Sequence, residues 1–311
     1  MTDDVPTALD LGSWRSQVVT EEVYVDPAPV AALQALLDTS SPRVSVGDLL
    51  PPLWHWVALP QWHTSSQLGA DGHPRTGGFL PPLPYRRRMW AGGELRLHHP
   101  LVVGAMVRRE SEVLAIEAKH GRSGPLIVVT VEIRLRTSDG QVAVEEQQNL
   151  IYREMTSAPA APSAAAPGAG PAATDPGAPL GRAAPSASGE PRPGVWDMRT
   201  DPSLLMRFSA ATANAHRIHY DWPYATQIEG YPGLVVHGPL MTLCLAEVIR
   251  LERPAAAIVR LRHRNLAPLV CGQPAQLRLV DRTPDASEEE LGVDLVAADS
   301  IRSSLTVTLQ A

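Results

Sequence analysis

The stretch GPLMTLCLAEVIR, residues 238–250, is apolar on nearly every side of a helix. Leu240, Met241, Leu243, Cys244, Leu245, Val248 and Ile249 leave no polar stripe, so protein must enclose such a helix on all sides. Gly238 and Pro239 open it, with glycine expected at the N-cap and proline at the first helical position, where a missing N–H breaks no bond. Strand patterns follow at 257–266, 273–281, 291–298 and 303–309. One enclosed helix followed by antiparallel strands predicts a sheet wrapped around that helix.

Working outward, the same plan recurs in the first half of the chain. Asp26 and Pro27 precede Val30, Leu33, Leu36 and Leu37, the pattern of a capped amphipathic helix. Strands are expected at 94–98, 105–119 and 126–136. Ser138-Asp139-Gly140 turns the chain into a returning strand at 141–153. Between the halves lies a run of Ala, Pro, Gly and Ser that offers too little apolar area to offset its ordering entropy, and it is expected to be a mobile linker. The expected organisation is an α+β double hot-dog: a less regular N-terminal hot-dog over 1–155, a linker over 156–195 and a C-terminal hot-dog over 196–311. A short apolar run through Leu204, Leu205, Met206 and Phe208, read as a strand, begins the second half.

Composition narrows the function classes. Hydrophobic residues at 44% and charged residues at 19% fit a globular chain. The net charge of −6 argues against broad nucleic-acid or anionic-membrane binding. No apolar run is long enough to span a bilayer, and the acidic start Met1-Thr2-Asp3-Asp4 lacks the pattern of a secretory signal, so a cytoplasmic location is expected. Cys244 and Cys271 form neither a disulfide framework nor a metal-ligand spacing. Lys119 is the sole lysine among 27 basic residues, a bias suggesting a GC-rich bacterial genome.

Chemistry concentrates in residues 208–240, FSAATANAHRIHYDWPYATQIEGYPGLVVHGPL, which gather Asn214, His216, His219, Asp221 and His237 just before the enclosed helix. This segment resembles the type-2 enoyl-thioester hydratase signature of the MaoC-like family, with Phe208, Ile218, His219 and Asp221 at matching spacings. GYPGLVVHGPL, together with Phe79-Leu80-Pro81-Pro82 and Arg87-Arg88-Met89-Trp90-Ala91-Gly92-Gly93 in the first half, is more similar to type-2 3-hydroxyacyl-thioester dehydratases and 3-methylfumaryl-CoA (mesaconyl-CoA) hydratases. Asn214 stands where the common signature has a catalytic aspartate, and His216 where it has asparagine. An amide is no general base, so the acid–base work is expected to fall on His219. Asn214, or else His216, would then hold the water.

The resemblance implies a cofactor-free hydro-lyase acting on an acyl-CoA, with a short branched dicarboxylic acyl group favoured. No metal is expected. The Gly238 N–H at the helix N-terminus is the expected oxyanion donor. His237 would line the pocket wall or anchor the helix start, and Asp221 would cap a short helix near Trp222-Pro223. Arg87, Arg88, Trp90, Arg260 and Arg262 are candidate substrate contacts, the arginines for phosphate or carboxylate; a plain solvent face is the alternative for Arg260, Arg262 and Arg264, which share one side of a strand. An acyl-carrier-protein-linked dehydratase, a hot-dog thioesterase and a non-catalytic thioester-binding protein are the rival readings. The enclosed helix carries only Glu247 as a carboxylate, far from its N-terminus, which weighs against hydrolysis. Further self-association into homo-oligomers stays open.

Overall fold

The computed structural model describes residues 11–85, 87–121, 124–154, 177–185, 188–282 and 289–310. Its strands join into one eleven-stranded antiparallel sheet. The first half supplies β1 (Val19–Tyr24), β2 (Arg87–Leu97), β3 (Met106–Gly121), β4 (Gly124–Arg136) and β5 (Val142–Arg153), in the order β1-β3-β4-β5-β2. The second half supplies β6 (Leu180–Arg182), β7 (Val195–Met198), β8 (Ile258–Asn265), β9 (Ala275–Asp281), β10 (Glu290–Ala297) and β11 (Ser300–Leu309), in the order β8-β11-β10-β9-β7-β6. Strands β2 and β8 meet at the centre, from Gly92 opposite Arg264 to Arg96 opposite Arg260. Each half-sheet carries its own central helix, so the chain is a double hot-dog.

Four α-helices are formed among the described residues: α1 (Pro27–Leu37), α2 (His55–Ala58), α3 (Pro202–Ala211) and α4 (Gly238–Glu252). None is long and apolar enough to cross a membrane. Asp26 caps α1 by accepting from Ala28 N at 2.8 Å, and Val30, Leu33, Leu36 and Leu37 are the buried face. Helix α4 is buried continuously from Leu240 to Ile249 and packs on β9, β10 and β11. Its one buried carboxylate, Glu247, is bound by Arg250 at 2.5 Å and by Thr39 and Ser41, which tie the helix to the first half.

Four sequence expectations are corrected. The run Leu204, Leu205, Met206, Phe208 is helical, not extended. Asp201 accepts from Ser203 N and Leu204 N, Pro202 pre-sets the first turn, and Leu204, Leu205 and Phe208 form one buried face while Met206 is exposed. Part of the expected linker is ordered. Leu180–Arg182 pairs with β7, because Leu180 is buried and Arg182 reaches Glu252 at 2.9 Å and covers the Trp196 ring. Residues 156–176 of that linker lie outside the described residues. Finally, α4 starts one residue early, with His237 as N-cap, Gly238 in the first position and Pro239 in the second. The β2 strand also begins at Arg87, well before the expected 94–98.

The seam between the halves depends on two glycines. A Cβ at Gly93 would lie 2.0 Å from Gln147 O of β5, and one at Gly92 would lie 2.3 Å from His263 O of β8. Gly92 also has a φ of +147°, at a bulge in the β2–β5 register. A Gly93→Val substitution should therefore pry β2 from β5. Overpacking of this kind costs about 1–3 kcal/mol, and differential scanning calorimetry should show a melting temperature several degrees lower.

Candidate active site

The segment between α3 and α4 is fixed by backbone pairing on both sides. Val235 N donates to Ile218 O at 3.0 Å, Val236 N to Leu269 O at 2.9 Å and Cys271 N to Leu234 O at 2.8 Å. This places the 3-10 turn Arg217–His219 against residues 234–237. His219, buried, lies 2.7 Å through Nδ1 from Val235 O. A carbonyl only accepts, so Nδ1 carries the hydrogen, and Nε2 of the neutral ring is a lone-pair acceptor. On one face His219 stacks on His237 with centroids 3.6 Å apart, and His216 meets it edge-on at 5.4 Å. His237 Nε2 lies 2.8 Å from Ser209 Oγ, which ties the N-cap of α4 back to α3.

The first half reaches into this cluster with residues 69–73. Arg217 N donates to Asp71 O at 2.9 Å and Arg217 Nη1 to Ala70 O at 3.0 Å. Gly72, at φ +89°, sits so close that a Cβ would fall 1.8 Å from Ala215 O. His73 thereby lies against His216, with ring centroids 3.9 Å apart and planes tilted by 34°, and its Nδ1 lies 2.9 Å from Asp71 Oδ2. Arg88, opposite Tyr152 in the β2–β5 pairing, lines the same cavity, and its charge acts on Asp71, His73, Tyr152 and His216. The cavity encloses about 1260 Å³ between the halves. It extends to a second buried cluster, in which Glu146 is bound by His55 and Trp56 at 2.9 Å and by Gln148 at 2.6 Å.

Burial keeps these imidazoles neutral. It pushes His219 down to about 4, against the help that the Val235 carbonyl gives the charged form. Burial and then Arg88 push His73 down to about 4, although Asp71 works the other way. His216 is lowered further, by burial and then by His73 and His219, and His237 falls well below the ordinary value for the same reason. For Asp71, burial acts to raise the carboxyl, yet the hydrogen bond and charge of His73 bring it below its usual range. The site therefore holds neutral bases at physiological pH, with the positive charge of Arg88 among them.

The expected site residues divide into two groups. His219, Asn214, His216, Gly238, Arg88 and Trp90 line the cavity. Asn214 Oδ1 accepts from His216 N at 3.0 Å, so its carbonyl is engaged in its own turn. His237 lies behind His219, away from the cavity wall. Gly238 allows close approach: a Cβ there would lie 2.9 Å from Asn265 Nδ2 and 3.0 Å from the Trp90 ring. Asp221 is ion-paired with Arg217 and accepts from Tyr224 N at 3.1 Å, as a cap for the turn that follows. Arg87, Arg260 and Arg262 are not among the cavity-lining residues. Arg87 lies over the Tyr231 ring beside Glu229, Arg260 pairs with Glu94 at 2.7 Å, and Arg262 pairs with Glu290 at 2.6 Å.

Asp71, His73 and Asn265 join the site without any motif in the sequence that marks them. Asp71-Gly72-His73 reads as a turn, and only the docking of the two halves brings it beside His216. Asn265 ends β8 next to Gly238 with its Oδ1 buried and without a partner. Asp71, His73 and His216 each offer a donor atom within 4.8 Å of the others, a spacing a metal ion requires, but the field of Arg88 on all three opposes a cation.

A double hot-dog with a lone-pair imidazole beside the N-terminus of its enclosed helix defines a MaoC-like hydro-lyase. The family model for "Hydroxyacyl-thioester dehydratase type 2" matches residues 53–271. The "Mesaconyl-C(4)-CoA hydratase" of Chloroflexus aurantiacus is 41% identical over 278 residues, covering 87% of this chain and 89% of that one. The mitochondrial "Hydroxyacyl-thioester dehydratase type 2" of Schizosaccharomyces pombe is 26% identical over 285 residues, covering 82% and 87%. A solved "MaoC-like dehydratase" superimposes with a TM-score of 0.68 at 14% identity, covering 95% of this chain and 97% of the other, which supports the fold. The chain belongs to the hydroxyacyl-thioester dehydratase type 2 family.

A neutral His219 sets the expected pH behaviour. A group lowered to about 4 stays unprotonated down to nearly that value, so kcat/KM should be flat from pH 8 to about pH 5, without the inflection near 6.5 of an ordinary histidine. Stability should respond differently. Below about pH 6.5 the unfolded chain takes up protons that the buried imidazoles refuse, so thermal stability falls steadily toward their folded values. A rate profile bending at 6.5 while the melting temperature holds would contradict both.

Proposed function

We propose that this protein reversibly adds water across the double bond of an enoyl-CoA thioester, with 3-methylfumaryl-CoA or a similarly short, branched dicarboxylic acyl group as substrate. The observation that carries the chemistry is the hydrogen bond from His219 Nδ1 to Val235 O, which leaves Nε2 free to take a proton from water. Adding the hydroxyl to C3 moves electron density onto the thioester oxygen. In this reading that oxygen lies at the Gly238 N–H, where the positive end of the α4 dipole adds to the donor. The second half thus supplies the reacting groups, and the first half shapes the acyl pocket.

Arg88 favours the dicarboxylic substrate. It is a guanidinium set among neutral imidazoles, and a free carboxylate on the acyl group is the natural partner for a planar fork. The 41%-identical relative carries the name of an enzyme for such a substrate. Hydrolysis of the thioester has less support: of the two carboxylates of α4, Glu247 is held by Arg250, Thr39 and Ser41 and Glu252 by Arg182 and Trp196, and neither lines the cavity.

Following the ultraviolet absorbance of the conjugated double bond in crotonyl-, mesaconyl- and itaconyl-CoA tests this reading. Wild type should bleach the mesaconyl ester with a mass gain of one water, and His219→Ala should lower kcat by about 10²–10⁴-fold. Arg88→Met should raise KM for the dicarboxylic ester about tenfold or more and leave the crotonyl ester little changed. Release of free thiol would point instead to a thioesterase, turnover confined to carrier-linked substrates to a lipid-type dehydratase, and binding without turnover to a thioester-binding protein.

A further inference from the structure

We infer that His73, held by Asp71, is a second catalytic residue of the hydration reaction, contributed by the first half of the chain to the site of the second. The inference rests on the hydratase reading above and deepens it. A water molecule attacking C3 must be held by its hydrogens so that an oxygen lone pair faces the carbon, and this takes two acceptors. His219 Nε2 is one. Asn214 is the poorer choice for the other, because its carbonyl oxygen is already held in its own turn by His216 N, which leaves it one lone pair, and its amide nitrogen only donates.

His73 meets the requirement. The Asp71 carboxylate accepts from Nδ1–H at 2.9 Å, which fixes the tautomer and leaves Nε2 as the acceptor. The ring lines the cavity and lies tilted against His216, whose ring in turn meets His219 edge-on. Its placement is built, not incidental: residues 69–73 are locked to the catalytic segment by the two bonds from Arg217 and by a glycine at the closest point of contact. A side chain that merely filled the interface would need neither the carboxylate nor the obligate Gly72.

The reaction then balances with one moving proton. An O–H bond of the water breaks as its proton passes to His219 Nε2, and the water oxygen bonds to C3. The C2=C3 π pair shifts through the carbonyl carbon to the thioester oxygen. The enolate re-forms the carbonyl as C2 takes that same proton back from the His219 imidazolium. His73 exchanges no proton: its Nε2 accepts the hydrogen bond of the second O–H throughout, and Asp71 is a positioning residue acting through it.

The test is steady-state hydration of mesaconyl- or crotonyl-CoA, whichever the wild type turns over, by His73→Ala, His73→Gln, Asp71→Asn and His219→Ala, with calorimetric melting of each. The expected result is a loss in kcat of about 10²-fold for His73→Ala with KM within about threefold of wild type, and partial recovery in His73→Gln, whose amide oxygen restores an acceptor. Asp71→Asn should fall between wild type and His73→Ala, since its amide oxygen still accepts from Nδ1–H. If His73→Ala does not fold, the ranking of the Gln and Asn variants decides. Unchanged kcat in His73→Ala or, where that variant does not fold, in His73→Gln, or a loss that appears only in KM or melting, overturns the inference and leaves the hydratase reading intact when His219→Ala is dead. Wild type without turnover on any enoyl thioester overturns the hydratase reading, and this inference with it.

Discussion

Helix α4 has no polar face between Leu240 and Ile249, and the rest of the architecture answers the need to enclose it. At roughly 25 cal/mol per Å² of apolar surface, a helix buried on all sides is among the largest single contributions to the fold. One sheet cannot cover it completely. Strands β9–β11 take one side, and the Glu247 contacts to Thr39 and Ser41 bring the first half against another. The N-terminus of such a helix must still emerge somewhere, because its first N–H groups have no partner within the helix. It emerges into the cavity between the halves, at Gly238, with His219 and Asn265 beside it.

Packing four histidines together is possible only because none is charged. His73, His216, His219 and His237 form a continuous line of ring contacts from one half to the other. One imidazolium in that line would meet the desolvation that already lowers each of them. Neutral rings with Nδ1 committed, to Val235 O in one case and to Asp71 in another, present their other nitrogens as acceptors. The environment thus makes bases from residues that at the surface would be half protonated near pH 6.5. Arg88 reinforces this by repelling a proton from His73 and His216.

Much of this was legible in the residues. The all-round apolar pattern of α4, the Asp26-Pro27 start of α1, the alternation along β4 and the Ser138-Asp139-Gly140 turn into β5 are local signals, and each lies in the structure within a few residues of its expected place. The run through Leu204 and Phe208, four apolar residues in five, fits either a strand or a helix face; Asp201-Pro202, a cap followed by a first-turn proline, is what decides for the helix. Leu180–Arg182 was hidden by its Ala- and Pro-rich surroundings, and its strand exists only because Trp196 and Glu252 lie opposite. The Asp71–His73 pair had no local signal at all, since its meaning depends on residues 215–217, well over a hundred positions away.

That dependence bears on why the two hot-dogs share one chain. In a symmetric pair of identical subunits, a change that adapts one loop to dock on its neighbour also alters the copy that does not need it. Covalent fusion removes the constraint. Here the first half keeps the sheet and its helix α1 but carries Gly72, where any side chain would run into Ala215, and Arg88, whose charge lies in the shared cavity. The second half keeps Gly238 and the imidazole turn. Seam glycines 92 and 93 let the two half-sheets join in one register, so the Arg217 contacts to Ala70 and Asp71 form at fixed geometry rather than across a mobile interface. A cavity shaped by two non-equivalent walls can present different groups to the two ends of one bound molecule.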